Sequence, residues 1–458
     1  MPNAARAVQA HPREAAARAI EAAPLPLVLD ADRALLRTGI AAERLVAGLS
    51  RRALRLDLLP GRDELVAFAA AEREAGRPVH LVTDAPQAVA EALAARFEFV
   101  DGAFGREDGD DGGKAARLAA RFPAGFAYAG DPAAEPEVWA AAATRVPVGT
   151  GGIEDEVLAR FPREAAGLRV WAKALRLHQW AKNALVFVPI LLGGRALDAA
   201  AWSSGLLMFL ALGVLASSTY LVNDLVDLAD DRRHWSKRTR PLAAGTLPIG
   251  RALAAVPLGA TAAFGLAWLA GGAAGLAFAG LYLAVTLAYS LRLKREPILD
   301  VTVLAALFTV RIAAGVAVTG VAWSAWLLAF SMLLFLSLSL AKRHTEAVRM
   351  QRHGATAARG YVAADAPILL ALGVASATAS IVLLVLYLIE EAFKAGFYAA
   401  PQMLWALPVV LFLWLGRIWL LCGRGQLHDD PVSFALRDRV SLGHGALVAG
   451  AVGLAIFL

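Results

Sequence analysis

A chain of 458 residues with 58% hydrophobic residues, 18% charged residues and a mean hydropathy of +0.55 is too apolar for an ordinary soluble enzyme. Its net charge of +6 and pI of about 9.6 raise the question of nucleic acid. The bases, however, crowd into short loops between apolar runs, with no long basic tracts interleaved with aromatics, which excludes that partner. The single cysteine, Cys422, rules out an intrachain disulfide and a thiolate metal site and reads as a packing residue.

The opening residues, MPNAARAVQAHPREAAARAIEAAP, carry acids and no continuous apolar core, so no signal peptide is expected. Residues 1–165 read as a soluble α/β domain. Three short apolar runs, LPLVLD, VHLVTD and FAYAGD, end in Asp30, Asp84 and Asp131, with alanine-rich helical stretches between them. That is the pattern of a parallel sheet with crossover helices, in which ligands bind beyond the carboxyl ends of the strands. The aspartates then converge where a phosphate and a magnesium ion can sit. An aspartate after a strand is also a good turn or N-cap residue, so one alone says little.

Residues 166–458 read as a polytopic, all-α membrane domain. About nine apolar runs are long enough to cross a bilayer, near 184–200, 202–222, 251–271, 273–290, 298–320, 323–341, 367–389, 402–422 and 441–458. Pro189 and the Gly193-Gly194 pair threaten the first. The connections alternate in charge. One set holds Arg232, Arg233, Arg238, Arg292, Lys342, Arg349 and Arg424 among others, and the opposite set offers little beyond Arg195 and Lys394. The excess of bases places the first set, and the soluble domain with it, in the cytoplasm.

The densest of these connections is NDLVDLADDRRHWSKRTRP, residues 223–241. Asp224, Asp227 and Asp231 stand at i, i+3 and i+7, on one face of a helix, with Asp230 off that face. Stacked carboxylates repel unless a cation lies among them, and oxygen-only ligands favour Mg²⁺ bridged to substrate phosphates. Lys237 and Arg240 suit the remaining phosphate oxygens, Asn223 can add an amide contact, and the extra arginines serve topology. The plain alternative is a solvated loop that stops translocation. The helical spacing and the position of Asp224 against membrane-depth sequence favour function.

A second connection, LAYSLRLKREPILDV, holds Tyr289, Arg292, Lys294, Glu296 and Asp300, and Arg311 follows inside the next span. An arginine buried in a span needs an anionic partner, which is either a substrate or, internally, Asp300.

NDLVDLADDRRHWSKRTRPLAAG resembles the first aspartate motif of the UbiA-type intramembrane prenyltransferases, NDxxDxxxD followed by lysine and RP, and YSLRLKREPILD resembles the second. The family's second DxxxD is at best Glu296 to Asp300 here. The resemblance spans residues 170–458, and about nine helices is the family's number. LRLHQWAKNALVFVP, with His178, Lys182 and Asn183, is similar to the entry segment of the decaprenyl-phosphate phosphoribosyltransferase-like branch. That likeness implies a phosphoribosyl diphosphate donor, a polyprenyl phosphate acceptor and loss of diphosphate, with Mg²⁺ on the aspartates, Asp300 in the catalytic set, and Lys182, Lys294 and Arg311 on other phosphates. An ordinary member moves a prenyl group from prenyl diphosphate to an aromatic acceptor. A non-enzymatic transporter of phosphorylated lipid is the other class, disfavoured because opposite-side stretches such as GGAAG and TGVAW are short and uncharged.

PLVLDADRALLRTG resembles the first motif of the haloacid-dehalogenase-like phosphatases, which implies Asp30 as nucleophile and Asp32 as general acid/base. Thr83 matches the second motif, Lys114 the third, and Asp131 with Glu135 the fourth, as metal ligands alongside Asp30. Ala34 replaces the usual threonine, and Glu135 the usual aspartate. The resemblance implies a phosphatase able to remove the terminal phosphate of the membrane half's product. In RGQLHDDPVSFALRDRVS, residues 424–441, His428, Asp429, Asp430 and Asp438 form either an additional site or a loop-to-helix turn set by Pro431.

Overall fold

The computed structural model describes residues 24–107, 113–149, 157–162, 166–353, 360–427 and 431–458. The segment read for a signal peptide, and His428, Asp429 and Asp430, lie outside these residues. The chain divides into two compact units, residues 1–175 with 220–255, and residues 176–219 with 256–458. The first unit therefore holds the expected soluble domain together with the whole of NDLVDLADDRRHWSKRTRP, where sequence places a single boundary at residue 165.

In the first unit, β1 (Leu27–Asp30), α1 (Ile40–Leu49), α2 (Asp63–Glu74), β2 (Val79–Pro86), α3 (Gln87–Ala94), β3 (Gly102–Arg106), α4 (Lys114–Arg121), β4 (Ala127–Gly130), α5 (Pro136–Ala141), β5 (Thr144–Pro147) and α6 (Leu168–Ala174) follow in order. The five strands form a parallel sheet in the order β3-β2-β1-β4-β5, with Leu27 opposite both Val79 and Ala127. Strand alternation splits the core: Leu27 and Leu29 pack with Leu65, Leu81 and Leu93, while Val28 packs with Phe126, Tyr128 and Trp139. Three strands are legible in the sequence. The two edge strands, GAFGR and TRVP, have apolar runs too short to register. Strand order reverses between β1 and β4, so the crevice of such a sheet opens beside Asp30.

Next come α7 (Val188–Leu192), α8 (Ala199–Val226), α9 (Leu228–Arg233), α10 (Ile249–Leu291), α11 (Leu299–Thr319), α12 (Ala325–His353), α13 (Ala366–Glu390), α14 (Ala406–Gly423), α15 (Pro431–Ala435) and α16 (Arg439–Phe457). Among the described residues seven helices are long and apolar enough to cross a membrane, rather than nine. The run at 184–200 is no spanning helix: 3-10 turns occupy Leu177–Phe187, α7 adds five residues, and Gly193-Gly194 ends it. The runs at 251–271 and 273–290 are two successive helices within α10, separated where Gly271 and Gly272 leave helical geometry, so that one of the seven stretches holds two of the expected runs. In the second unit α12 packs against α11 and α13, and α14 against α16. Phe308 of α11 stacks on Phe335 of α12 at 4.3 Å between ring centres. α11 also lies against Leu177–Phe187, and Gly315 permits that approach, because a Cβ there would stand 2.2 Å from the Val186 carbonyl oxygen.

Candidate active site

The first aspartate cluster lies in the first unit. The helix breaks at Asp227, between α8 and α9, yet Asp227 N donates to Asn223 O at 2.9 Å and Asp231 N to Asp227 O at 2.8 Å, so the helical sense continues. Asp224 and Asp231 consequently keep a shared face. Arg240 Nη1 donates to both, at 3.0 Å to Asp224 Oδ1 and 2.6 Å to Asp231 Oδ2. The two carboxylates are 4% and 1% exposed. Asp231 Oδ1 is buried without a hydrogen-bond donor, Lys237 Nζ standing off at 3.8 Å. Among the described residues no three His, Cys, Asp or Glu side chains close around a common point, and the half-buried Asp227 does not join the other two.

Magnesium commonly takes only one or two carboxylates and completes its shell with substrate phosphates and water. Two buried carboxylates, one with an oxygen lacking any donor, fit that donor set. Asp230, off the shared face, is exposed and pairs with Arg52 at 2.5 Å. Arg232, read from sequence as a topology signal, is instead a buried clamp. Its Nη1 and Nη2 donate to the Glu43 carboxylate of α1 at 3.1 and 2.6 Å, with both side chains under 10% exposed.

In the second unit Arg311 is 7% exposed, and among the described residues no carboxylate pairs with it. Its Nε donates to Asn183 Oδ1 at 2.8 Å, Nη1 to Leu307 O at 2.5 Å and Nη2 to Tyr282 OH at 2.9 Å. The guanidinium lies 4.9 Å from the Tyr282 ring centre and 5.3 Å from that of Phe308, and Lys182 Nζ is 5.8 Å from the Phe308 centre. Asn183 and Arg311, 128 apart in sequence, thus meet, and the hydrogen-bond acceptors of Arg311 are neutral. His178 is exposed at the start of this segment. Partial desolvation, then the charges of Arg176, Arg437 and Lys182, lower its pKa below the ordinary imidazole value.

The internal Asp300–Arg311 pair does not form. Asp300 is fully buried and accepts from Arg343 Nε at 2.7 Å and Tyr361 OH at 2.6 Å. Ile298 just before it has φ +66°, rare for a β-branched residue. A γ-turn with Leu299 N donating to Pro297 O at 2.8 Å, and Ile298 N donating to Tyr361 OH at 2.7 Å, hold it there. Glu296 is exposed and makes no pair with Asp300, while Tyr289 and Lys294 are half-buried at the end of α10 and in the turn after it. Sequence reasoning missed Arg343 and Tyr361. The one available signal was an arginine two residues past Ala341, still within the buried part of a span.

The sheet of the first unit gathers a third group. Lys114 Nζ, at the start of α4, donates to Asp30 Oδ2 at 2.7 Å and to Glu135 Oε1 at 2.5 Å. Burial opposes the Asp30 charge, but Lys114 outweighs it and the carboxyl titrates below its usual range. Burial, then the Asp30 charge, raises Glu135. Thr83 Oγ1 donates to Asp32 Oδ2 at 2.7 Å, and Ile40 N to Asp32 Oδ1 at 2.8 Å. Asp131, after β4, accepts from Ala133 N at 3.1 Å. Tyr128, unforeseen from sequence, bonds through its hydroxyl to Asp30 Oδ2 at 2.9 Å and to Glu135.

The profile of the UbiA prenyltransferase family matches residues 186–437, more than half of the chain. The chain belongs to that family. This UbiA-family protein is 42% identical over 421 residues to the uncharacterized protein y4nM of Sinorhizobium fredii, covering 88% of this chain and 81% of that one. It is 35% identical over 282 residues to nodulation protein NoeC of Azorhizobium caulinodans, covering 59% and 88%. It is 32% identical over 273 residues to a decaprenyl-phosphate phosphoribosyltransferase of Mycobacterium tuberculosis, covering 58% and 88%. Family membership and the long apolar helices make it an integral membrane protein, and these relatives support a transferase.

Proposed function

We propose that this UbiA-family protein is a Mg²⁺-dependent transferase that joins phosphoribosyl diphosphate to a polyprenyl phosphate. A lipid phosphate oxygen attacks the anomeric carbon, the bond to the diphosphate oxygen breaks, and diphosphate departs with the electron pair. The observation that carries this reading is Arg311, a buried cation with neutral hydrogen-bond acceptors, gripped by Asn183 of the HQWAKN segment. A buried charge of that kind requires an anion, and a substrate phosphate supplies one. The named mycobacterial relative supports the choice of donor. Asp224 and Asp231 would hold a magnesium ion, whose charge would neutralise the leaving diphosphate. Arg240 bridges the same carboxylates and stands ready to donate to phosphate oxygens, with Lys237 near Asp231, and Asn223 and Asp227 of the same motif are assigned to the site. Lys182, Lys294 and Tyr289 contribute further polar contacts to phosphates, and Asp300 acts as a positioning residue through Arg343. The base-rich connections support a cytoplasmic setting for both charge clusters.

The sheet domain is, in the same reading, a haloacid-dehalogenase-like phosphatase. Asp30 attacks a terminal phosphate, and Asp32, oriented by Thr83, protonates the departing sugar oxygen and then deprotonates the hydrolytic water. Lys114 holds the nucleophile charged. The resemblance would assign Asp30, Asp131 and Glu135 as oxygen donors for a magnesium ion; among the described residues the three do not close around a common point, and Asp30 and Glu135 are joined instead through Lys114 and Tyr128. Removal of the 5-phosphate from the product of the membrane half follows, on one tethered chain.

The test supplies purified protein and Mg²⁺ with radiolabelled phosphoribosyl diphosphate and a polyprenyl phosphate. Lipid-soluble label that vanishes in Asp224→Ala is expected. No transfer in that assay, with transfer from a prenyl diphosphate to an aromatic acid, replaces this reading by the ordinary family reaction.

A further inference from the structure

We propose that a basic cavity in the first unit binds a sugar phosphate, and that the segment following Pro241 forms part of its wall. The proposal rests on the phosphatase reading of Asp30 and Asp32 and names the substrate class of that site. The cavity measures about 870 Å³ and opens at the carboxyl end of the sheet, where Asp32 and Asp84 line it. Its lining carries six arginines against four acids, with Arg37, Arg44 and Arg251 among the bases. A lone phosphate fills a small part of that volume, which falls within the range of sites for whole small molecules.

Three details point to a polar, anionic occupant. Asp32 is fixed by Thr83 and Ile40, so the carboxylate assigned as acid/base faces the cavity in one orientation. Thr38, 4% exposed, has a buried hydroxyl with no hydrogen-bond partner among the described residues, and it lines the same space. The excess of guanidinium groups suits the oxyanion of a phosphorylated sugar. Residues 245–251 come from beyond the Arg240-Pro241 turn, and the backbone there runs so close that a Cβ on Gly245 would lie 2.7 Å from the Arg37 Cβ. Arg251 thereby contributes a cation to a cavity whose floor belongs to residues two hundred positions earlier. The lining favours a substrate that is a phosphate monoester of a sugar.

Such a headgroup exists free or attached to lipid, and the assay separates the two. Phosphate release is measured on the full chain in nanodiscs with p-nitrophenyl phosphate, free ribose 5-phosphate, and the lipid product formed in place from phosphoribosyl diphosphate and a polyprenyl phosphate. Arg44→Ala and Arg251→Ala should raise KM for the sugar phosphates about tenfold, the loss of one charged hydrogen bond. KM for p-nitrophenyl phosphate should stay within about twofold, and Arg251→Lys should recover part of the loss, which a misfolded variant cannot do. A rise confined to the lipid product assigns the cavity to the lipid-linked headgroup, and a rise for free ribose 5-phosphate alone assigns a soluble sugar phosphate. Unchanged KM for both overturns the proposal. Asp30→Asn should abolish release from all three substrates while ribose 5-phosphate still raises its melting temperature, and adding Arg251→Ala should remove that shift. Release that survives Asp30→Asn sinks the phosphatase reading, whereas a thermal shift that survives Arg251→Ala sinks the cavity.

Discussion

Replacing Arg311 separates a substrate-binding cation from a structural one. The guanidinium serves three acceptors in three directions, Asn183 Oδ1, Leu307 O and Tyr282 OH. A lysine ammonium is a single point and cannot hold that fork while also facing an anion. Loss of a charged hydrogen bond to phosphate costs about 1.5–3 kcal/mol, so Arg311→Lys should raise KM for phosphoribosyl diphosphate roughly 10- to 150-fold. Arg311→Met tests the other half of the argument. Removing a buried charge with no carboxylate partner relieves its desolvation, which offsets the roughly 1–3 kcal/mol for acceptors left unmade. The Met variant should therefore melt within a few degrees of the unaltered protein while losing transfer. Inorganic diphosphate at about 100 times its Kd should stabilise the unaltered protein by about 2.7 kcal/mol and the Met variant not at all. If Arg311→Lys keeps its KM within twofold, or if diphosphate stabilises both proteins equally, the cation does not face the donor.

Asp231→Asn should lower transfer about a hundredfold at saturating Mg²⁺, since the ligand is worth several kcal/mol of charge stabilisation, and chelator should silence the unaltered enzyme reversibly; normal turnover in Asp231→Asn would remove this carboxylate from the site. Glu43→Ala leaves Arg232 buried without its partner and should cost about 3 kcal/mol in denaturant unfolding, whereas the Glu43→Met/Arg232→Met double variant should cost less than the single. Equal losses would mean the pair is not desolvated in solution. For His178 the folded pKa lies below the unfolded value of 6.5, so the unfolded chain takes up its proton first and this residue's contribution to stability declines as pH falls through 6.5. An anionic donor nearby should raise that pKa, so binding of diphosphate near pH 6 should take up a proton in calorimetry, and His178→Gln should abolish the uptake.

How much of this was legible depends on whether the signal is local. Helical spacing carried Asp224 and Asp231 to one another, because residues at i and i+7 share a face, and the turn after α9 returns Arg240 to them. The break at Asp227, between α8 and α9, is not marked by anything in LVDLAD. Runs of β-formers gave the central strands, while GAFGR and TRVP gave nothing until parallel partners paired them. Burial is a tertiary property, so Arg232 looked like any loop arginine until Glu43 enclosed it. The meeting of Asn183 with Arg311 depends on the close approach of Val186 to Gly315, a backbone event with no sequence period. Tyr128 was hidden for the opposite reason: its alternation in the strand reads as core, and its hydroxyl happens to end between two carboxylates.

The contrast between Asp300 and Arg311 bears on how many metal ions this chain needs. Asp300 is neutralised by Arg343 and hydrogen-bonded by Tyr361, with side chains 0% and 1% exposed in the ion pair, so it has little capacity left for a cation. Arg311, about three helical turns further along the same helix, has only neutral acceptors. Under the proposed function, the second unit would then supply an anion contact through Arg311, and the donorless oxygen of Asp231 would take the magnesium. Asp300→Asn should accordingly leave the Mg²⁺ concentration for half-maximal transfer within about twofold, while exposing Arg343 as a buried charge without full compensation and lowering stability by about 3 kcal/mol. A metal titration that shows one ion per chain in the transferase site, unchanged in Asp300→Asn and lost in Asp231→Asn, fits this arrangement. A tenfold or greater rise in the Mg²⁺ requirement of Asp300→Asn would place the carboxylate in a metal shell after all, and Arg343 would then have to move aside when substrate binds.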